Sequence, residues 1–357
     1  MHVRAWLTLP LAAVAAMVSH SPACCPAPPS GRAVVNADQT VAILWDAARQ
    51  TQHFIRQASF KSEVDDFGFL VPSPSQPELE ESGNAAFPFL AAITAPEVRL
   101  VSRPRQGLGC GCGSAPPLAA PTTKEAVRVL EEKQVAGFAA VVLESDSTTA
   151  LVDWLRENGY AFSPEVEAWA KPYVEQNWKF TALKVAKDES QAENRQVAAA
   201  ALRISFQTDR PLFPYREPDS SQSAETLGAS SRLLRIYFLG EARYDGELTP
   251  ARPWTGQAAW AGKLSDENRQ KILQLLRLPE ATGPTQWWLT EFEDHWPYEI
   301  APADLYFAPS AQQDELQRPP VVHYVSTPVP GDLALFALAA MVVLPLVWRS
   351  RRLARTA

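Results

Sequence analysis

GLGCGCGSAPP, residues 107–117, sets Cys110 and Cys112 one residue apart among glycines, and the only other cysteines, Cys24 and Cys25, are adjacent. Four thiols at such spacings can form disulfides, hold a soft metal or carry redox chemistry. A bridge inside either pair would be a tight, strained ring. Two bridges from the Cys24/Cys25 pair to the Cys110/Cys112 pair would each close a loop of roughly 85–90 residues, worth ~4–5 kcal/mol in the chain-entropy account. The glycines would then let the backbone turn both sulfurs toward one partner. Adjacent and one-apart cysteines depart from the C-x2-C spacing of zinc knuckles, so structural disulfides are favoured over metal or redox chemistry. Lipidation of Cys24 is a further alternative, weakened by Ser21 standing where a lipobox has leucine.

A second constellation is EFEDHW, residues 291–296. On a strand, Glu291, Glu293 and His295 project from one face, the arrangement a divalent ion needs if another element completes its shell. The competing expectation, which is favoured, is a solvated acidic edge strand, since exposed edges carry charge against aggregation. His53 is a candidate base and Ser59 or Ser62 a candidate nucleophile, but no glycine-framed elbow surrounds either serine. Asp65 and Asp66 stand too close together for a glycosidase acid/base pair and read as a turn. With no phosphate-binding glycine loop, no catalytic residue and no cofactor are assigned. Trp287, Trp288 and Trp296, with Trp254 and Trp260 nearby, could offer flat faces to a glycan or peptide, though core packing is the commoner use.

The elements that must position these groups belong to an α+β fold, mainly antiparallel sheet with a few short helices. The 31 prolines forbid long helices. Residues 33–79 alternate short apolar runs with turns, as hairpins do. Residues 134–145 read as one buried strand. Asp146 or Ser147 caps a helix burying Leu151, Trp154 and Leu155, and Gly159 stops it. Pro164 opens another helix that Pro172 limits or kinks. Strands follow with Trp178, Phe180 and Ala182, then Leu202, Ile204 and Phe206, on their inward faces. Ser265 caps a helix with Ile272, Leu275 and Leu276 inward, and 285–296 is a further strand. Pro302–Pro330 reads as a semi-extended stalk or a last edge strand. The natural place to divide 24–330 into two subdomains is the Gly/Pro-rich stretch 104–123.

Both ends carry targeting signals. Residues 1–23 hold Arg4, an apolar run and small Ser21 and Ala23 before a cut, a secretory signal peptide. Residues 333–348, LALFALAAMVVLPLVW, read as one transmembrane helix; sixteen residues span roughly 24 Å against a ~30 Å hydrocarbon core, a gap that snorkelling arginines and local thinning close. Arg349, Arg351, Arg352 and Arg355 place the tail 349–357 in the cytoplasm and 24–330 outside. A sorting tail removed after export is the alternative. Setting aside Arg4 and those four arginines leaves 28 of the 33 basic residues against 40 acidic ones, a charge of −12 that disfavours nucleic acid.

The segments ACC, FGFLVPSPSQPEL, GCGCG, LVDWLRENGYAFSPE, YVEQNWKFTALKV, LRISFQTDRPLFPYR and LLRIYFLGEARY together resemble the bacterial family called domain of unknown function 2330. The likeness runs from about Ala23 to Tyr244 and is most specific over Leu151–Val185. It implies an exported, often membrane-anchored envelope protein with paired cysteines, and it carries no activity. The expectation is a single-pass membrane protein with its main domain extracytoplasmic, serving a structural, binding or assembly role toward an envelope protein or glycan. The alternative is a secreted, hydrolase-like enzyme whose site assembles from distant residues.

Overall fold

A computed structural model of the chain describes residues 26–27, 34–36, 38–57, 60–62, 68–103, 128–160, 164–185, 201–217, 225, 231–248, 254–297, 301, 303–326, 340–341 and 343–345. The signal peptide, all four cysteines, Ser59, Asp65, Asp66 and most of 333–348 lie outside the described residues. No described helix is long and apolar enough to cross a membrane. The chain divides into a larger unit, Met1–Thr94 with Pro116–Gln317, and a smaller one, Ala95–Ala115 with Arg318–Ala357.

The larger unit is organised around QTVAILWD, β3 (Gln39–Asp46), whose apolar residues do not alternate with polar ones. Such a strand needs cover on both faces. It lies inside a seven-stranded sheet, β16 (Gln257–Lys263), β17 (Trp288–Pro297), β14 (Ser231–Gly240), β3, β4 (Thr51–Gln57), β12 (Ala201–Gln207) and β7 (Glu78–Ser82), in that order. Only β3 and β14 pair in parallel; the other neighbours are antiparallel. Val41, Ile43 and Trp45 enter the larger core, and Ala42 and Leu44 enter a second one on the opposite face.

The second core is roofed by α1 (Ala86–Ile93) and α4 (Asp266–Leu276), which contribute Ala86, Phe87, Leu90, Ile272, Leu273 and Leu276. Ser265 caps α4 by accepting from Asn268 N at 3.2 Å. Leu273 is buried with Ile272 and Leu276, and the expected Leu275 packs half-buried against the same core. Arg277 closes the helix at φ +56°, and Arg203 of β12 donates to the carbonyls of Leu276 (3.1 Å) and Arg277 (2.8 Å), a cation on the negative helix end.

The larger core lies between the seven-stranded sheet and a five-stranded sheet, β1 (Pro26–Ala27), β6 (Gly68–Ser73), β11 (Lys179–Val185), β10 (Phe138–Glu144) and β9 (Arg128–Val135). The stretch read as one strand is a hairpin. Ala136 (φ +55°) and Gly137 (φ +83°) form a two-residue turn between β9 and β10, and paired positive φ values match the twist of the flanking strands. Alanine in a left-handed position hides that turn in the sequence. α2 (Thr148–Glu157) begins where Ser147 Oγ accepts from Ala150 N at 3.1 Å, and buries Leu151, Val152, Trp154 and Leu155. Tyr160 N bonds Leu155 O at 2.8 Å and Gly159 N bonds Arg156 O at 3.3 Å, a Schellman stop around left-handed Gly159. α3 (Pro164–Glu175) passes through Pro172, and the same two bonds, Trp178 N to Tyr173 O and Asn177 N to Val174 O, end it at left-handed Asn177.

A three-stranded sheet, β13 (Leu212–Phe213), β18 (Leu305–Pro309) and β15 (Tyr244–Leu248), supplies Phe213, Leu305 and Phe307 to the same core. Leu305 and Phe307 are therefore core, and β18 is the middle strand of its sheet rather than the stalk or last edge strand read from the prolines. β2 (Val34–Asn36) pairs antiparallel with β5 (Phe60–Ser62). In the smaller unit β8 (Val98–Arg103) pairs in parallel with β19 (Val321–Ser326).

Candidate functional site

Strand alternation places Glu291 and Glu293 on one face of β17, but β17 is flanked by β16 and β14 and is not an edge. Glu291 is buried. The positive charge between the two carboxylates belongs to the chain itself: Arg235 lies opposite Glu293 in the β14–β17 register, its Nε 2.8 Å from Glu291 Oε1 and its Nη2 2.6 Å from Glu293 Oε1. Burial alone would lower the Arg235 pKa, yet the bond to Glu293 and the neighbouring charges raise it above its ordinary value, so the clamp stays cationic. His295 is exposed. Among the described residues no group of three or more His, Cys, Asp or Glu is placed to hold a metal ion.

The other face of β17 carries an acid that strand alternation had passed over. Asp294 follows Phe292 on the core side and is buried. Its Oδ2 accepts from Tyr215 Oη (2.7 Å) and Trp254 Nε1 (3.0 Å), and its Oδ1 from Thr255 Oγ1 (3.1 Å). Burial, then the Asp294 charge, pushes the Tyr215 phenol far above its ordinary pKa, so it remains a donor. Tyr173 Oη donates to Asp304 at 2.7 Å, and Arg216 N donates to the same carboxyl at 3.0 Å. Burial pushes Asp304 up against these bonds. Glu217 and Arg232, each 2% exposed, form a buried ion pair where Glu217 bridges backbone-to-backbone with Ala301. For Arg232 and Asp294 the signal was a charged residue at an inward position of a strand, where it must be matched; Glu217 and Asp304 stand outside the named strands.

His53 meets the hydroxyl of Ser205, a serine outside the two named as candidates. The β4–β12 register sets His53 opposite Ser205, with Nδ1 2.8 Å from Ser205 Oγ. Burial, then the Arg203 charge, lowers the imidazole pKa to about 4, with Asp46 acting in the opposite sense. Asp46 itself is held below the ordinary carboxylate range: burial would raise it, but bonds from the Arg49 side chain (2.5 Å), Arg49 N (3.1 Å) and Gly283 N (3.1 Å) outweigh that. A base with so low a pKa is poorly matched to abstracting a serine proton near neutrality.

A pH dependence follows from His53. Its folded pKa lies below the 6.5 of a free imidazole, so the unfolded chain binds the extra proton between those values. Stability is full above about pH 6.5 and is lost as pH falls toward about 4, by at most about 3 kcal/mol. Imidazole titration by NMR is expected to give a midpoint near 4 for His53; a midpoint near 6.5 would contradict the burial argument.

Trp260, Trp287 and Trp288 are core, not a platform. Trp287 and Trp288 are both buried, although neighbours on a strand face opposite ways, because both faces of β17 are covered. Arg269 lies over the Trp287 ring and Lys263 over that of Trp288, with cation-to-centroid distances of 5.1 and 5.7 Å. Trp254 is committed to Asp294, and Trp260 Nε1 donates to Gln317 Oε1 at 3.0 Å. The Trp296 side chain lies outside the described residues.

The open surface offers a shallow groove of about 650 Å³ lined by Glu80, Glu81, Lys133, the 136–137 turn and Arg277. Its charges are largely matched: Arg277 bonds Glu81 at 2.7 Å, Arg203 pairs with Glu80, and Lys133 Nζ caps the Leu79 carbonyl of β7 at 2.7 Å. A lysine placed on an edge strand in this way blocks further strand pairing.

A bacterial family whose description reads "Uncharacterized protein conserved in bacteria (DUF2330)" matches residues 18–306, most of the chain and well past Tyr244, where the recognisable sequence likeness stopped. No curated protein and no solved structure matches.

Proposed function

The chain belongs to the DUF2330 family, and on that premise we propose that it is a membrane-anchored extracytoplasmic protein with a structural, binding or assembly role in the bacterial envelope. The location rests on the sequence at its two ends, the signal-like residues 1–23 and the apolar run 333–348 followed by four arginines. One observation supports the non-catalytic role: the ionisable groups that the fold gathers are spent on each other. Arg235 spans Glu291 and Glu293, Asp294 and Asp304 accept from tyrosines, and Arg232 neutralises Glu217. Such networks rigidify a scaffold and leave little to be tuned for proton transfer.

The test is topological. A tag after Ala357 is expected to survive external protease in intact cells while the ectodomain is digested, and thiol counting before reduction is expected to find no free cysteine. Digestion of the tag would reverse the orientation, and four reactive thiols would remove the disulfides. The secreted-hydrolase alternative keeps one observation, the 2.8 Å contact of His53 with Ser205. Covalent capture of Ser205 by a fluorophosphonate, lost in Ser205→Ala, would favour it.

A further inference from the structure

Large apolar side chains that stand in water are unevenly divided between the two units. Among the described residues Val129 is the one such side chain in the larger unit; the rest belong to the smaller. Val98 (59% exposed), Val321 and Val322 (42% each) and Tyr324 (55%) lie on the β8–β19 ribbon, and Met341, Val343 and Leu344 lie in the apolar C-terminal segment. The ribbon is itself unusual. Parallel strands ordinarily occur in sheets covered on both faces, and two strands alone are marginal in water. Here the described residues show β8 and β19 pairing with each other and with no third strand.

Register decides what can cover it. Val98 sits beside Val321 on one face, while Val322, opposite Arg99, and Tyr324, opposite Val101, point to the other. A folded partner laid against the ribbon would cover one face. A headgroup layer surrounds whatever enters it and covers both, and being hydrated it also satisfies the free strand edges, which hydrocarbon would not. Tyrosine is a residue that interface favours, and Arg99 on the Tyr324 face can reach its headgroups. Distance permits it: six residues, 327–332, separate Ser326 from the apolar run, a reach of up to ~20 Å.

We propose that the β8–β19 ribbon is a lipid-contacting element that seats Val98, Val321, Val322 and Tyr324 in the headgroup region of the outer face of the membrane. The proposal rests on the anchored reading given above, and extends it from a tether to a docked unit.

Full-length protein reconstituted into phosphatidylcholine vesicles, with a diazirine carried either near the lipid headgroup or at the acyl-chain end, separates the two claims by mass-spectrometric mapping of adducts. The shallow probe is expected to label peptides holding Val98 and Val321–Tyr324, and the deep probe to label 333–348. In Val321→Glu/Val322→Glu the ribbon adducts should fall about tenfold while those on 333–348 persist. Ribbon peptides free of adduct beside a labelled 333–348 would overturn the docking and leave the anchor standing, including the case where a second copy covers the valines. Absence of label from 333–348 would remove the anchor as well.

Discussion

Arg232→Met is expected to destabilise the larger unit by about 3–5 kcal/mol, because it leaves the Glu217 carboxylate buried without its cation. Both side chains are 2% exposed, so water cannot take over the lost partner. The backbone at Glu217 also bonds Ala301 in both directions at 2.9 Å, which ties the segment after β13 to the approach to β18. A buried carboxylate that has lost this cation works against that tie. The sharper comparison is the double variant Arg232→Met/Glu217→Leu, expected to recover most of the loss, since removing a buried pair together avoids the desolvation that each ion suffers alone. Urea midpoints at constant slope measure both. A single variant as stable as the parent, or a double variant worse than the single, would show that the pair is not what holds these segments.

Asp294→Ala is expected to cost about 3 kcal/mol, with Asp294→Asn costing less than about 1 kcal/mol. The alanine variant deprives buried Tyr215 and half-buried Trp254 of the oxygen both use, and a buried donor that loses such an acceptor carries a desolvation penalty. Asparagine keeps a carbonyl in place of Oδ2 for both donors, and its amide can donate to the Thr255 hydroxyl. The Trp254 indole N–H resonance gives a local readout: it should move strongly in Asp294→Ala and little in Asp294→Asn. The node matters because the Trp254 ring also packs on Phe292 (centroids 5.5 Å apart) and Tyr215 (6.3 Å), and Phe292 on Phe307 (5.6 Å), so a loosened Trp254 is felt along a chain of core rings. Equal effects of the two substitutions would mean that charge, not hydrogen bonding, governs the site.

Local chemistry was legible wherever it is short-ranged. Ser147 and Ser265 cap the helices they precede, Gly159 takes the left-handed stop, and Leu202, Ile204 and Phe206 alternate inward. Each depends on residues within about four positions of one another, so periodicity and side-chain type suffice. The hairpin turn at Ala136–Gly137 escaped because alanine does not announce a positive φ. Glu291 and Glu293 were rightly put on one face, but whether that face met solvent depended on β16 and β14 flanking the strand, and on an arginine 56 and 58 positions away in the chain.

The sequence by itself determined the class of the fold, its capped helices, its family and the expectation of an exported, tethered chain. Those follow from composition, period and end signals. Tertiary structure alone decided that Trp287 and Trp288 are both interior, that His53 meets Ser205, that Arg235 fills the space between two glutamates and that exposed Val98, Val321 and Val322 meet on one parallel ribbon. Strand order and two-sided cover set these outcomes. Neither is encoded in any local pattern, because a strand's hydrophobic run states only that cover exists, while which distant strand or helix supplies it is resolved by packing the whole chain at once.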